Sequence, residues 1–252
     1  MAHGGPKERA ACPGKCHGAL MTFDRDRFVD LCTRSGLDIV HPFNISWFNS
    51  AALEDERLPE LGRRDGLAFV VASSRALWPV LLRAVAKDPA LATAKHPLDT
   101  YVTGILDSAV RDADGHAVVL YAHTVSPRAI PIQRIAERAC LAHLGPAFLS
   151  VHPRLGPWFG FRAVVVTDAE GPPTLQHPAN PCAGCEAPCV AALARAREAT
   201  AGLVLDAAVV GDTWRLWAQI REACPVGRDR RYDDDQLEYH YTKQRSLVGA
   251  TK

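Results

Sequence analysis

The chain has 252 residues, of which 48% are hydrophobic, so it can form one globular domain whose core needs neither disulfides nor metal to fold. Its formal net charge of +1, with acids and bases interspersed, excludes the basic block typical of nucleic-acid-binding proteins. No apolar run has the length of a transmembrane helix, and the first 20 residues lack the apolar centre of a signal peptide. We therefore expect a cytoplasmic protein without nucleic-acid or membrane partners, in which the eight cysteines are reduced thiols, metal ligands or redox groups.

In chain order, a leader precedes alternating helices and strands. Residues 1–22 have the composition of a flexible leader, and 23–252 are predicted as a single domain with a Cys-rich loop at 171–190. Apolar residues at helical spacing predict helices at 23–36, 75–88, 97–113, 131–145, 189–200 and 212–224. Short apolar runs predict strands at the start of 37–53 and at 66–74, 117–124 and 161–168. This order predicts a layered α/β fold with a polar tail, 231–245, that packs through its tyrosines.

Two cysteines, Cys32 and Cys140, lie in apolar helical patterns and are predicted to be small core residues. The sequence contains no glycine-rich dinucleotide or P-loop motif, no nucleophile elbow and no zinc-protease motif. These absences remove the common signatures of nucleotide binding, serine hydrolysis and zinc proteolysis.

The stretch VHPRLGPWFGFRAVVV, residues 151–166, places unusual residue types directly before a strand. Gly156 and Gly160 allow backbone to approach a bulky object closely, and the aromatic pair at 158–159 supplies broad apolar surface. Arg162 opens the strand, where its guanidinium can bind a carboxylate. Two interpretations follow from composition: a decorated loop with its tryptophan in the core, or a site for a large flat ligand together with an anion.

The order of these residues resembles the matching stretch of the methylmalonic aciduria and homocystinuria type C protein family. Four further stretches resemble that family in the same order: VHPFNISWFNSAAL, GLAFVVASSRALW, HPLDTYVTGIL and RRYDDDQLEYHYT. Together they extend over roughly residues 36 to 249. The resemblance implies a nitroreductase-like α/β/α sandwich with a mainly antiparallel sheet that binds cobalamin with its nucleotide base displaced. It also implies removal of the upper axial ligand, by reductive decyanation with reduced FMN or FAD, or by glutathione-dependent dealkylation.

The resemblance also implies roles for individual residues, although it assigns none as catalytic. The cobalamin-binding positions that it implies are Phe148, Leu149, Ser150, Trp158 and Phe161. The glutathione-binding positions that it implies are Arg162, Arg221 and Arg245. Ser150 stands where the family often has a cysteine, and the loop before it is shorter here. A downstream cobalamin-trafficking protein or an electron donor is the expected protein partner, and the chain is expected to be a monomer or a ligand-linked homodimer.

A cluster of cysteines departs from the family, whose better-known members have about one cysteine in this region. NPCAGCEAPC spaces Cys182, Cys185 and Cys189 closely, and Cys224 precedes a proline further on. Such thiolates fit a [4Fe–4S] cluster or a structural zinc ion. Epoxyqueuosine reductases pair such clusters with cobalamin, so an iron–sulfur, corrinoid-dependent reductase is one alternative function. The others are a non-catalytic cobalamin carrier and, for the cysteines alone, a set of redox-active thiols.

Overall fold

The computed structural model describes residues 22–124, 129–200 and 213–249, and its central element is a four-stranded sheet. The strands lie in the order β1–β2–β6–β3, and every neighbouring pair is antiparallel. They are β1 (Ile39–Asn44), β2 (Gly66–Ser73), β3 (Ala117–Tyr121) and β6 (Gly160–Glu170). A separate two-stranded hairpin joins β4 (His143–Leu144) to β5 (Ser150–Val151). The predicted leader lies outside the described residues except for its last position.

The helices of the described ranges cover both faces of this sheet. They are α1 (Arg25–Arg34), α2 (Ser46–Asn49), α3 (Leu77–Lys87), α4 (Pro89–Thr93), α5 (Pro97–Asp112), α6 (Ile132–Arg138), α7 (Pro188–Ala199), α8 (Trp214–Glu222), α9 (Asp234–Thr242) and α10 (Ser246–Gly249). Two 3-10 turns lie at Glu54–Glu56 and Arg228–Arg230. The prediction of an α/β fold with a mainly antiparallel sheet is confirmed.

Strand β2 shows why the sheet carries helices on both sides. All eight of its residues are buried, and successive side chains of a strand point to opposite faces. Phe69 and Val71 pack with Phe28 of α1 and the apolar side of α5, whereas Val70 packs with α6 on the other face. A strand buried on both faces has no polar side, which explains its uninterrupted apolar sequence.

Helix α1 follows the sequence pattern closely. The Asp24 side chain accepts a hydrogen bond from the Arg27 backbone N–H and so caps the first turn. Phe28 and Cys32, one turn apart, are both fully buried against the sheet. The prediction that Cys32 is a small core residue is therefore confirmed.

A further group of helices packs around the stretch that precedes β6. Helices α7, α8 and α9 form a cluster around Trp158, which is 1% exposed, and the ring of Tyr232 lies 5.8 Å from its ring between centroids. Tyr239 is also buried, against Trp78 of α3. The prediction that the polar tail packs through its tyrosines is thus confirmed.

The predicted helix 131–145 is too long. Helix α6 ends at Arg138, and Cys140 adopts a left-handed conformation with a φ of 58°. Leu141 and Ala142 continue the apolar pattern, but they are buried because the chain turns back into the core, where it forms β4. Cys140 is therefore not a helical core residue: it is partly exposed, and its sulfur lies 3.3 Å from Nδ1 of His177.

Candidate active site

A pocket of about 220 Å³ opens where the β4–β5 hairpin, the start of β6 and helices α8 and α9 meet. Five of the site residues that the resemblance implies line it together: Leu149, Ser150, Phe161, Arg162 and Arg221. They come from three separate parts of the chain. The fold therefore brings most of the implied cobalamin positions next to two of the implied glutathione positions.

Two guanidinium groups give this pocket its positive charge. Arg162 donates from Nε to the hydroxyl of Ser73 at 2.9 Å, and no other hydrogen bond to its side chain occurs among the described residues. Neither Arg162 nor Arg221 forms an ion pair with a carboxylate in the described ranges. Burial lowers the pKa of Arg162, but a guanidinium stays protonated in proteins. The pocket thus presents positive charge that an anionic ligand can balance.

Arg221 is held more tightly than Arg162. Its side chain donates to the carbonyl of Pro157 and, from Nε at 3.1 Å, to the hydroxyl of Tyr241. Its Nη2 lies 3.1 Å from Nε2 of His240. Because arginine only donates, Nε2 of this histidine is the acceptor and the ring is neutral. Burial lowers the pKa of His240 well below its usual value, and the neighbouring cations add to that effect.

Four residues of this pocket were not among the predicted site residues: Gln133, Phe159, Gly160 and His240. Gly160 has a clear role, because a Cβ atom there would lie 3.1 Å from Nη2 of Arg162. The glycine leaves the guanidinium room to lie across the start of β6. Gln133 donates from Nε2 to the carbonyl of Phe148 at 2.9 Å and so ties α6 to the hairpin. The motif at 151–166 pointed to Gly160, whereas no sequence pattern marked Gln133 or His240.

Phe148 lies in the hairpin, next to Leu149 in the chain. It is 62% exposed and has a φ of 59°, a conformation that is uncommon for a bulky residue. The guanidinium of Arg197 lies 5.8 Å from the centre of its ring. An exposed aromatic ring beside an apolar pocket wall provides surface on which a flat ligand can stack.

Two predicted site residues lie away from the pocket walls. Trp158 is buried among helices α7, α8 and α9. Its indole buries more apolar surface there than it would at the rim of the pocket. Arg245 is exposed after α9 and donates from Nη2 to the carbonyl of Ala92 at 3.1 Å. The structure therefore assembles two of the three arginines, and it places the tryptophan behind the pocket rather than on its surface.

A second cavity, of about 250 Å³, is lined by all four cysteines of the predicted metal site: Cys182, Cys185, Cys189 and Cys224. The six cysteines of the described ranges are free thiols. Burial raises the pKa of the Cys182 thiol, and the other three thiols raise it further. Within residues 22–124, 129–200 and 213–249, no three His, Cys, Asp or Glu side chains are arranged to hold a metal ion. The cysteines thus border one space without converging on a point.

We expect His152, in the loop before β6, to make stability fall in acid. Burial, followed by the charges of Arg154 and His41, lowers its pKa from 6.5 to about 4. Its Nδ1 accepts the backbone N–H groups of Arg154 and Leu155 at 3.1 and 3.2 Å. Because the unfolded chain takes up a proton that the folded chain resists, stability is lost as the pH falls from about 6.5 to about 4.

The variant His152→Asn tests this expectation, since its amide oxygen replaces the Nδ1 acceptor but does not titrate. Urea unfolding across that pH range should show a shallower loss of unfolding free energy than in the unsubstituted protein. An equally steep loss in both proteins would contradict the assignment.

In comparisons with known proteins, no protein-family model matches the chain, and no curated protein matches it. Among solved structures, the chain is similar to the C. elegans B12-trafficking protein CblC, described as a homologue of human MMACHC. The two superpose with a TM-score of 0.66 over 89% of this chain and 95% of that chain, at 16% sequence identity. The chain shares the fold of CblC. CblC has a nitroreductase-like fold, so the predicted architecture is confirmed.

The likeness to CblC lies in the fold, since so few residues are identical. It agrees with the resemblance found in the five sequence stretches. In the part of the chain that the structure describes, none of the helices combines the length and hydropathy that crossing a membrane requires.

Proposed function

We propose that this protein is a cobalamin-processing enzyme that binds cobalamin base-off and removes its upper axial ligand. One observation carries the proposal: two guanidiniums that have no carboxylate partner among the described residues, Arg162 and Arg221, share a pocket with apolar residues of the hairpin and β6. The fold shared with the B12-trafficking protein CblC supports cobalamin as the flat ligand. The chemistry needs reduced thiols, so the cytoplasm is the compartment that suits it.

The apolar residues are proposed to contact the corrin. A pocket of about 220 Å³ has room for a thiol-bearing group but not for a whole corrin. We therefore assign the corrin to the surface beside the pocket, where Phe148, Leu149, Ser150 and Phe161 meet it. Trp158 supports that surface from the core, which is a positioning role. A corrin that covers this apolar surface would exclude water from the upper ligand.

The two arginines are proposed to bind glutathione, which has two carboxylates. The terminal nitrogens of Arg162 have no hydrogen-bond partner among the described residues, so its fork can take one carboxylate through two parallel bonds. The positive charge also stabilises the thiolate over the thiol, which increases the fraction of the nucleophile. The thiolate sulfur then bonds to the alkyl carbon, and the electron pair of the broken cobalt–carbon bond stays on cobalt. Arg245 could bind glutathione together with them only if the chain after α9 moved.

The reductive route is proposed to use reduced FMN or FAD, which supplies electrons for breaking the bond between cobalt and cyanide. We assign no described residue to the flavin and treat it as a diffusible donor. A downstream cobalamin-trafficking protein would receive the product. The same proposal includes a monomer or a ligand-linked homodimer as the working state.

A second candidate function is an iron–sulfur, corrinoid-dependent reductase that acts on another substrate. It is favoured by a specific observation, the four cysteines around one cavity. This second function would be supported if the purified protein is brown, bleaches on reduction and removes no ligand from added cobalamin. Binding of cobalamin without any turnover would select a non-catalytic carrier instead.

The proposed function predicts a change in the visible spectrum of cobalamin when the purified protein is added. Displacement of the nucleotide base from cobalt converts the base-on to the base-off spectrum, so a titration reports binding and coordination together. With reduced flavin, cyanocobalamin should release cyanide, and with glutathione, methylcobalamin should yield a methyl thioether. An unchanged spectrum, and a pigment that does not elute with the protein on a sizing column, would refute cobalamin binding.

A further inference from the structure

We propose that Cys182, Cys185, Cys189 and Cys224 bind a [4Fe–4S] cluster that supplies electrons to the proposed cobalamin site. These residues come from the loop before α7, the first turn of α7 and the end of α8, yet they line a single cavity. The proposal that a cluster binds depends only on these four residues and not on the proposed function. Only its role as electron donor rests on the proposed function.

The arrangement of the four thiols favours a cluster over zinc. A structural zinc ion binds four ligands tetrahedrally with sulfur at about 2.3 Å, so its four sulfurs lie nearly in contact and enclose no cavity. Here the four thiols are among the residues that line a cavity of about 250 Å³, and no set of them in the described ranges is arranged to hold one ion. In a [4Fe–4S] cluster each thiolate binds a different iron, so the sulfurs stand apart around a central core.

The surroundings of the cavity also suit a cluster. The backbone N–H of Val226 acts on the pKa of the Cys224 thiol in the direction that stabilises its thiolate, an influence of the kind that tunes cluster potential. Cys189 is the second residue of α7, where the positive end of the helix dipole favours an anionic ligand set. Pro146, Val151 and Pro225 form part of the wall and give it an apolar character. Both the four thiol ligands and the apolar lining of the cavity therefore suit a [4Fe–4S] cluster.

The cavity lies directly beside the arginine pocket. Leu149 lines both spaces, so the cavity of the four thiols and the pocket of Arg162 and Arg221 adjoin at this residue. The hairpin is also in contact with the cysteine loop, since a Cβ atom at Gly145 would lie 3.5 Å from the sulfur of Cys182. An electron leaving the cluster would need to cross only this hairpin to reach a corrin held at Phe148 and Leu149.

The proposed transfer balances as a one-electron step. The reduced cluster loses one electron, and the cobalt of cyanocobalamin gains it and passes from the trivalent to the divalent state. The bond between cobalt and cyanide breaks, and cyanide leaves with the bonding pair. An external donor, a reduced flavin in the cell or dithionite in the test tube, returns the electron to the cluster.

The first experiment measures loading of the cluster without cobalamin. Full-length protein, purified anaerobically and reconstituted with ferrous iron and sulfide, should contain about four irons and four acid-labile sulfides per chain. Cys185→Ser and Cys224→Ser should each lower both values at least twofold, whereas Cys140→Ser, a thiol outside this cavity, should leave them unchanged. One zinc per chain without sulfide, no metal at all, or equal loading of all three variants would overturn the cluster assignment.

The second experiment tests the electron transfer and separates it from cobalamin binding. Each form is first titrated with cyanocobalamin, and the Cys185→Ser variant should bind it as tightly as the unsubstituted protein. In a single turnover with dithionite-reduced, desalted protein, the loaded form should release up to one cyanide per chain, and the variant should release at least tenfold less. If cobalamin fails to bind, the proposed function fails while cluster loading stands. If both forms bind cobalamin and release cyanide equally, the role of the cluster as donor is overturned.

Discussion

The variant Arg162→Ala is expected to lower kcat/KM for glutathione-dependent dealkylation by about 100-fold, because truncating one partner of a buried charged pair costs roughly 2–5 kcal/mol and about 1.4 kcal/mol is a factor of ten. The affinity for cobalamin is expected to change by less than about threefold, since apolar contacts dominate the proposed corrin surface. Initial rates with methylcobalamin at varied glutathione, together with a cobalamin titration, measure the two effects separately.

Two further variants make this result specific. Arg162→Lys keeps the charge but loses the planar fork, so it should recover part of the rate and leave KM for glutathione raised. Arg111→Ala removes an exposed arginine from α5, on the far face of the sheet, and should leave both measurements unchanged. Equal losses of cobalamin binding and dealkylation in Arg162→Ala would show that this residue holds the fold or the corrin instead of the thiol.

Elements with strong local signals are the ones that the sequence predicts well. Helix α5 has a proline at its first position and a regular apolar stripe, and its observed bounds, Pro97–Asp112, fall within one residue of the prediction. Strand β2 is a continuous apolar run that begins at a glycine. In both cases local periodicity and tertiary burial favour the same structure, so the sequence pattern is sufficient.

Where tertiary contacts override local pattern, the prediction is wrong. Residues 139–144 continue the helical spacing of α6, yet the chain turns at Cys140 because Leu141 and Ala142 gain more burial in the core than on a longer helix. The same limit applies to the pocket. Gln133 and His240 reach it from α6 and α9, far apart in the chain, so no local spacing marks them.

The resemblance and the local chemistry predicted different parts of the site. The resemblance indicated Arg162 and Arg221, and these share a pocket, but it also indicated Trp158, which the structure buries behind that pocket. Motif matching locates a segment and does not determine which of its side chains face inward. The spacing of the cysteines predicted a shared site without any family resemblance, and the four thiols do line one cavity.

The backbone contact between Gly156 and Val226 is expected to be the point at which the fold tolerates substitution least. Gly156, in the loop before β6, has a φ of 58°, and a Cβ atom there would lie 1.9 Å from the carbonyl oxygen of Val226. Gly156→Ala is therefore expected to lower the free energy of unfolding by about 4 kcal/mol, through left-handed strain and forced separation of two backbones. Urea unfolding followed by circular dichroism measures this loss.

Gly62→Ala supplies the matched control for that loss. Gly62 has a φ of 84°, but a Cβ atom there has no neighbour within 4 Å in the part of the chain that the structure describes, so this variant carries the left-handed strain without the collision. Its expected cost is about 1–2 kcal/mol, and the difference between the two variants isolates the backbone contact. Equal costs would mean that the loop before β6 does not rest on Val226. Because Val226 also lines the cysteine cavity, a loop that moves away from it would change the wall of that cavity.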